Sequence, residues 1–361
     1  MRSGRISAVI VLLVCMLACS LLPGAGREEE KPQLLPSATP GDTAVQNTTV
    51  TLSSPVAADT AAPTAVAQAV LPSGSCPENA GKLLFAADSK TAPDQDTNFD
   101  IYVAAADGSG ITLLTDNPIW DGYPSWSPDL CRVAYSVSIT RESQTEIYVM
   151  NADGSGAARL TVDPAQDREP SWSPDGSQIV FTRDRGSGDR DLYVLNADGS
   201  SLFQLTDDPA EDEKPEWSPD GDWIAFQSRR EGNAELYLIR SDGTGLTRLT
   251  DHRMQDTHAA WSPDGKQIAF ISNRSDYIEV YVMNRDGSGV RQVTSTALTS
   301  PSPNIELSWS RVGNRLAFGC DTFVENPLVN TSEDICVVNP DGSGLAVLID
   351  FAMHPSRQPD W

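Results

Sequence analysis

Acidic residues recur at one position of this sequence, five residues before a repeated tryptophan. An amide and a hydroxyl occupy the same position further along the chain. The series is Asp121, Asp167, Asp212, Asp256, Asn304 and Ser356. Carboxylates gathered on one surface raise the local concentration of cations, so the series predicts a binding ring for a cation or a basic peptide. Alternatively, each aspartate accepts hydrogen bonds from backbone N–H groups of its own loop.

A second group of oxygen-bearing side chains lies nearer the N-terminus. Asp94, Asp96, Asn98 and Asp100 stand at alternate positions, which resembles the start of a calcium-binding loop. The glycine and the distal bidentate glutamate of an EF-hand are missing from the following residues. A polar hairpin turn is therefore the alternative to a calcium site. Calcium is the only cofactor that the sequence suggests, and the hypothesis below requires none.

The remaining polar side chains do not form a recognisable catalytic motif. The sequence contains neither a Gly-x-Ser-x-Gly elbow nor a His-Glu-x-x-His pair. We interpret His252, His258 and His354 as solvated loop residues, because no cysteine or acidic residue stands at a metal-ligand spacing from them. Trp120 and Tyr123 form an aromatic patch or pack beneath their own loop.

An internal repeat predicts the strands that must position these residues. The motif Trp-Ser-Pro-Asp begins at Trp126, Trp172, Trp217 and Trp261, so it recurs about every 45 residues. Trp309 begins a degraded copy, and the chain ends in a sixth tryptophan, Trp361. Between successive tryptophans lie three more apolar runs, separated by Ser-Pro-Asp-Gly and Asp-Gly-Ser-Gly turns. Each unit therefore predicts four short strands, A to D.

Four strands in about 45 residues are typical of a β-propeller blade. We predict an all-β fold, a six-bladed β-propeller over residues 81–361. The first unit has only strands B to D, and the chain ends in a lone strand A that finishes at Trp361. The final strand should therefore complete the first blade, a 1+3 closure that removes exposed sheet edges.

Four cysteines follow the N-terminal region and allow three pairings. Cys76 stands where the other units carry the tryptophan, and Cys131 lies in the A–B turn of the next blade. Cys320 and Cys336 lie in strands B and C of one blade. We predict the disulfides Cys76–Cys131 and Cys320–Cys336, which an exported protein would retain.

The blades resemble the WD40-like repeats of the TolB family of bacterial propellers. The resemblance rests on the strings IAF, YVMNADGSG, LT and PSWSPDG and covers the whole repeat region. It implies a six-bladed propeller in the cell envelope. TolB-family proteins are soluble periplasmic partners in the Tol–Pal system and carry an additional N-terminal α/β domain. This sequence has a low-complexity segment in that place.

The N-terminus predicts export. Residues 1–18 combine Arg2 and Arg5 with a short apolar run, as in a signal peptide. The run ends in Met16-Leu17-Ala18-Cys19, which resembles a bacterial lipobox with Cys19 as the lipid-attachment site. Residues 19–80 are rich in Ala, Thr, Pro and Ser and predict a disordered tether. We expect a lipid-anchored protein that faces the periplasm or the cell exterior.

Charge and loop position complete the hypothesis. The chain carries 26 Lys+Arg and 50 Asp+Glu, a net charge of −24, which argues against nucleic acid or anionic lipid as a partner. The variable B–C and D–A loops share one face, where function is most often located. We predict a monomeric, non-enzymatic envelope scaffold that binds a basic protein, a peptide or a cation there and contacts the membrane only through its lipid. The alternative is a carbohydrate-active enzyme or sensor that uses the same tunnel-mouth carboxylates.

Overall fold

The computed structural model describes residues 76–88, 98–139, 144–186, 188–275, 277–295, 306–321, 333–349 and 356–361. The predicted signal peptide, the lipid-attachment site Cys19 and nearly all of the tether lie outside these ranges and stay predictions. The first described element is a short 3-10 helix, Pro77–Asn79. Among the described residues, no helix has the length and apolar character needed to cross a membrane.

The described residues form 24 strands, four in each of six sheets. The A strands are β4 (Asp121–Trp126), β8 (Gln166–Trp172), β12 (Asp212–Trp217), β16 (Asp256–Trp261), β20 (Leu307–Trp309) and β24 (Ser356–Asp360). The B strands are β1 (Leu83–Asp88), β5 (Arg132–Ser138), β9 (Gln178–Asp184), β13 (Trp223–Ser228), β17 (Gln267–Ser272) and β21 (Leu316–Asp321).

The other two strands of each blade follow in order. The C strands are β2 (Phe99–Ala104), β6 (Thr145–Asn151), β10 (Arg190–Asn196), β14 (Glu235–Arg240), β18 (Glu279–Asn284) and β22 (Glu333–Val338). The D strands are β3 (Thr112–Leu113), β7 (Ala158–Arg159), β11 (Phe203–Gln204), β15 (Thr247–Arg248), β19 (Arg291–Gln292) and β23 (Ala346–Ile349). Blades are numbered here by their D strands, so blade 1 ends at β3 and blade 6 at β23.

The six sheets close into a ring. Each sheet is antiparallel, and the A strands of neighbouring blades contact one another in an unbroken cycle around the tunnel. The last strand, β24, pairs with β1, the first strand among the described residues. The predicted six-bladed propeller with 1+3 closure is therefore confirmed.

The core lies between the blades, because each sheet presents an apolar face to its neighbour. One phenylalanine from each of five B strands is completely buried: Phe85, Phe181, Phe226, Phe270 and Phe318. In most blades this ring packs against the tyrosine of strand C, as in the pair Phe270–Tyr281 with centroids 5.6 Å apart. Burying each ring contributes about 2–3 kcal/mol. The repeated sequence pattern thus holds neighbouring blades together.

Both predicted cysteine pairings are present in the structure. Cys76 and Cys131 are joined across 55 residues, and Cys320 and Cys336 across 16 residues. Cys336 lies opposite Phe318 in the B–C pairing, where other blades place the tyrosine. The first bridge ties the segment before β1 to the A–B turn of blade 2. The segment 76–82 before β1 is thereby fixed to blade 2.

The Asp-Gly-Ser-Gly turns fix the spacing between blades. Gly287 has a φ of 83°, and a Cβ atom there would lie 2.5 Å from the carbonyl oxygen of Leu249 in the preceding blade. Gly154 has a φ of 84° and stands in the same relation to Leu114. An alanine at either position would therefore have to displace the backbone of the neighbouring blade. These turns and the A–B turns lie on one side of the ring, called the turn face. The B–C and D–A loops lie on the opposite side, called the variable face.

Candidate functional site

The most unusual backbone of the ring lies in the A strands, three residues before each tryptophan. The A–B register shifts at this point in blades 2 to 5, which marks a β-bulge. The bulged residues have φ values of 51° to 60°, which non-glycine residues rarely adopt. They are Tyr123, Glu169, Lys214 and His258. A bulge redirects a side chain away from the ladder, and here it brings four polar groups to the tunnel.

Two cavities meet at these four residues. A cavity of about 370 Å³, the mouth cavity, lies on the variable face among residues that begin the A strands and end the B strands. A cavity of about 430 Å³, the inner cavity, extends from the same four residues to the A–B turns. Tyr123, Glu169, Lys214 and His258 line both. Together with Glu306, which lines the inner cavity, they are called the tunnel cluster.

Close polar contacts connect three members of the tunnel cluster. Lys214 Nζ lies 3.3 Å from Glu306 Oε1, and His258 Nε2 lies 3.5 Å from the same oxygen. Lys214 Nζ also contacts His258 Nε2 directly. Burial alone would raise the pKa of Glu306, but Lys214 and His258 outweigh that effect and hold its pKa at about 2. Burial and the charge of Lys214 lower the pKa of His258, so its imidazole is neutral at pH 7.

Of the two acids in the tunnel cluster, Glu169 is the one whose pKa is raised. Its Oε2 accepts hydrogen bonds from Thr182 Oγ1 at 2.7 Å and from the backbone N–H of Lys214 at 2.9 Å. Burial raises its pKa to about 7; Lys214 opposes the rise, while Glu213 and Glu306 add to it. Glu169 therefore changes its ionisation state near neutral pH. Perturbed carboxyl groups of this kind are frequent at functional sites.

A second tier of side chains stands immediately before the tryptophans and links neighbouring blades. Ser171 Oγ accepts from Trp217 N at 3.3 Å, and Glu216 Oε1 accepts from Trp261 N at 3.2 Å. Burial raises the pKa of Glu216 well above its ordinary value. Glu216 therefore adds a carboxyl group with a raised pKa to the wall of the inner cavity.

The predicted binding ring of aspartates has a different role in the structure. Asp121, Asp167, Asp212 and Asp256 have no exposed surface. Three of them pair with an arginine at the end of strand B: Asp167 with Arg183 at 2.7 Å, Asp212 with Arg230 at 2.9 Å and Asp256 with Arg274 at 2.5 Å. The prediction that these carboxylates face a ligand is therefore corrected. Asp167, Asp212 and Asp256 each serve their own repeat, through an arginine rather than through backbone N–H groups.

The arginines are held by the aromatic core of the same blade. The Arg274 guanidinium lies 5.1 Å from the ring centroid of Phe270 and 5.0 Å from that of Tyr281. Arg183 and Arg230 contact the corresponding pairs of rings in blades 3 and 4. Cation–π contacts thereby support the buried ion pairs.

In blade 2, none of the described residues supplies such an arginine. Asp121 Oδ2 instead accepts a hydrogen bond from Asn117 Nδ2 at 2.6 Å, and its Oδ1 has no hydrogen-bond partner in the described part of the chain. Burial raises the pKa of Asp121 to about 6. Asn304, the fifth member of the predicted ring, lies outside the described residues.

Arginines from the B–C side also neutralise acids at the mouth cavity. Arg190 contacts Glu213 and lies 3.6 Å from Glu211. Arg229 Nε lies 3.0 Å from Glu211 Oε2. Glu211 and Glu213 are therefore compensated locally.

Half of the predicted calcium loop can be placed. Asn98 and Asp100 are buried, and Asn98 Nδ2 donates to Asp100 Oδ2 at 3.4 Å and to Asn117 O at 2.7 Å. Asp94 and Asp96 lie outside the described residues. No group of three or more His, Cys, Asp or Glu side chains in the described part of the chain is arranged to hold a metal ion.

The predictions for the aromatic pair and for the three histidines can also be compared with the structure. Trp120 and Tyr123 form an edge-to-face pair with centroids 5.6 Å apart, so Tyr123 both packs on its loop and lines the tunnel. His258 is buried in the tunnel cluster rather than solvated. His252 is half-buried in the D–A loop, where its Nδ1 accepts from Met254 N at 3.2 Å. His354 lies outside the described residues.

Comparisons with known proteins support the architecture. The profile of the TolB beta propeller domain matches residues 100–206 and 214–348. The chain belongs to the TolB β-propeller family. No curated protein sequence matches it.

Solved structures share the fold at low sequence identity. TolB from Acinetobacter baumannii is 21% identical, with 78% of this chain and 66% of that chain covered and a TM-score of 0.65. A putative TolB from Agrobacterium tumefaciens is 19% identical, with coverages of 74% and 88% and a TM-score of 0.56. An oligogalacturonate lyase from Vibrio parahaemolyticus is 17% identical, with 77% of both chains covered and a TM-score of 0.51. This TolB-family chain thus spans about two thirds of the Acinetobacter protein.

Proposed function

We propose that this TolB-family propeller is a non-enzymatic, exported scaffold that binds a protein or peptide on its variable face. A lysine or arginine of the partner inserts into the tunnel and contacts Glu169. The protein is anchored by a lipid on Cys19 and acts as a monomer. Nucleic acid is not a partner, because the chain carries a net charge of −24.

The environment of Glu169 is the observation that carries this proposal. The side chain is half-buried, and desolvation together with the nearby charges of Glu213 and Glu306 raises its pKa to about 7. An incoming ammonium or guanidinium group would supply the missing positive charge and stabilise the ionised form. Because Glu169 lines both cavities, a long basic side chain that crosses the mouth cavity would reach it.

The inner cavity adds further acceptors. Its wall contains the carboxyl groups of Glu169, Glu216, Glu306 and Asp360, against the cationic groups of Lys214 and Arg311. The carboxyl oxygens of this wall can accept hydrogen bonds from an ammonium or guanidinium group. The four aspartates that the sequence singled out are not needed for this binding, because they are already paired or hydrogen-bonded inside the blades.

Export and anchoring are supported by the sequence and by the cysteines. The Met16-Leu17-Ala18-Cys19 string supports lipid attachment, and two disulfides suit an oxidising compartment. The expected test is metabolic labelling with a radioactive fatty acid, followed by a Cys19→Ala variant. The label should be present in the natural chain and absent from the variant. Equal labelling of the two would contradict the anchor.

Binding is tested with a library of random 12-residue peptides selected on the full mature chain. Peptides enriched in lysine or arginine are expected, and the consensus peptide should bind the Glu169→Gln variant at least tenfold more weakly. The introduced amide keeps an acceptor oxygen for Thr182, so the variant should fold. Asp222→Asn is the matched control, because Asp222 is exposed on the turn face of blade 4. Selected peptides without basic residues, or equal affinity for all three proteins, would contradict the proposal.

A carbohydrate-active enzyme is the second candidate. A partly protonated Glu169 close to Lys214 and His258 offers groups for acid–base chemistry, and the fold is shared with an oligogalacturonate lyase. Incubation with a panel of neutral and acidic polysaccharides tests this candidate. Turnover that is lost in Glu169→Gln would establish an enzyme, whereas no turnover by the natural chain would remove it.

A further inference from the structure

Within the described residues, the mouth cavity contains one guanidinium group without a carboxylate counter-ion. Three arginines line this cavity: Arg168, Arg190 and Arg229. Arg190 and Arg229 are paired with Glu211 and Glu213, as described above. No carboxylate among the described residues lies within ion-pairing distance of Arg168.

The charged groups of the mouth cavity also single out Arg168. Its lining contains three acids, Glu169, Glu211 and Glu213, and four permanent cations, Arg168, Arg190, Arg229 and Lys214. His258 adds no charge because its imidazole is neutral. Lys214 is paired with Glu306 outside this lining, so the cation that lacks a carboxylate partner among the described residues is Arg168, on the side of the cavity formed by β8.

The local structure holds Arg168 in place. It stands directly before the bulged residue Glu169 and pairs with Thr182 of strand β9. Its Nη2 donates to Gln166 Oε1, two residues earlier on the same strand. A guanidinium group has five N–H donors in a rigid fork, so most remain for a ligand. Its positive charge also acts on Tyr123, a further residue that lines the cavity.

The geometry points to Arg168 as the residue that selects an acidic group in the partner. A half-buried guanidinium without a carboxylate partner favours a carboxylate, which it can bind through two parallel hydrogen bonds. This inference rests on the proposed peptide-binding function and deepens it. The partner segment then carries two signals: a basic residue for Glu169 and an acidic residue for Arg168. Opposite charges at two points also fix the direction in which the segment lies across the mouth.

The same peptide library tests this inference. Peptides selected on the natural chain should contain a fixed aspartate or glutamate in addition to the basic residue. Selection on Arg168→Gln should lose the acidic preference and keep the basic one. Arg253→Gln is the matched control, because Arg253 is an exposed arginine of a D–A loop outside both cavities. It should keep both preferences.

A double-mutant cycle then assigns the contact. Replacing the consensus aspartate by asparagine should weaken binding to the natural chain about tenfold or more, and should change binding to Arg168→Gln less than about twofold. Arg168→Lys should give an intermediate loss, because an ammonium cannot form the paired hydrogen bonds. Thermal melting of each variant confirms that it is folded.

The outcomes separate the two proposals. Peptides with a basic residue but no acidic preference would overturn the role of Arg168 and leave the proposed function in place. The same acidic preference in Arg168→Gln would also overturn it. If no variant selects any peptide, or if an oligogalacturonate binds at this arginine instead, the peptide-binding function fails and the role of Arg168 fails with it.

Discussion

The carboxylate of Asp360 accepts a hydrogen bond from the backbone N–H of Trp126, with Oδ2 and N 2.6 Å apart. The two residues are separated by 234 positions in the sequence and lie on the A strands of blades 1 and 2. Ser171 and Glu216 make the same contact to the tryptophan of the next blade. The last strand of the chain is therefore joined to its neighbours on both sides, to β1 by the sheet ladder and to blade 2 by a side chain.

Removal of residues 356–361 should strongly destabilise the ring. The deletion takes away strand β24, the buried Trp361 ring and the Asp360–Trp126 contact. Loss of a buried tryptophan alone costs about 3–5 kcal/mol, and β1 becomes an open edge. Differential scanning calorimetry should show a large drop in melting temperature. Asp360→Asn keeps an acceptor oxygen and should melt close to the natural chain. Unchanged melting after the deletion would contradict the closure.

Removing one partner of a buried Asp–Arg pair should cost more than removing a surface pair. Arg230→Gln leaves Asp212 unpaired and completely buried, which costs about 3 kcal/mol or more. Its sequence neighbour provides the control, because Arg229 is 40% exposed and pairs with Glu211 at the surface. Arg229→Gln should change stability by less than about 1 kcal/mol. Urea unfolding measures both, and equal losses would refute a structural role for the buried pair.

These pairs show why part of the site could be predicted from the sequence and part could not. The tryptophans, turns and aspartates recur in type and spacing, so the repeat predicts the blades, the closure and both disulfides. A residue that recurs in each unit serves each unit, and the aspartates do so inside the blades. The tunnel cluster stands two residues further along, at a position whose residue type changes from blade to blade. A position whose residue type varies, between positions that repeat, is the sequence signal that could have identified the tunnel cluster. The β-bulge that turns these side chains inward depends on pairing geometry, which the sequence does not display.

Replacement of Asp121 by asparagine should stabilise the protein at neutral pH. Burial raises the pKa of Asp121 to about 6, and no arginine among the described residues of blade 2 compensates for the charge. A raised carboxyl pKa makes a contribution to stability that is fully present below about pH 3.8 and is lost as the pH rises through about 6. At pH 7.5, Asp121→Asn should therefore gain up to about 3 kcal/mol over the natural chain, and at pH 4 the gain should vanish. Thermal unfolding at the two pH values measures this, and a gain that is independent of pH would contradict the pKa.

The two disulfides should differ in their contribution to stability. In the chain-entropy model, a bridge across 55 residues contributes about 4 kcal/mol and one across 16 residues about 3 kcal/mol. Cys131→Ser should accordingly lower the melting temperature more than Cys320→Ser. Reduction with dithiothreitol should lower the melting temperature of each variant further, because each keeps one bridge. Mass mapping without reduction checks the pairing, and a bridge between Cys76 and Cys320 would contradict it.

Binding of a lysine-containing peptide should be linked to ionisation of Glu169. The pKa of this group is about 7 in the free protein, and a bound ammonium lowers it. Binding therefore releases protons near neutral pH, and the affinity should rise between about pH 5 and 7 and level off above about pH 8. Calorimetry in buffers with different ionisation enthalpies measures the proton release. Glu169→Gln should abolish the pH dependence, whereas Glu231→Gln, which alters an exposed B–C loop residue, should preserve it. The same pH slope in Glu169→Gln would assign the linkage to another group and remove Glu169 from the binding site.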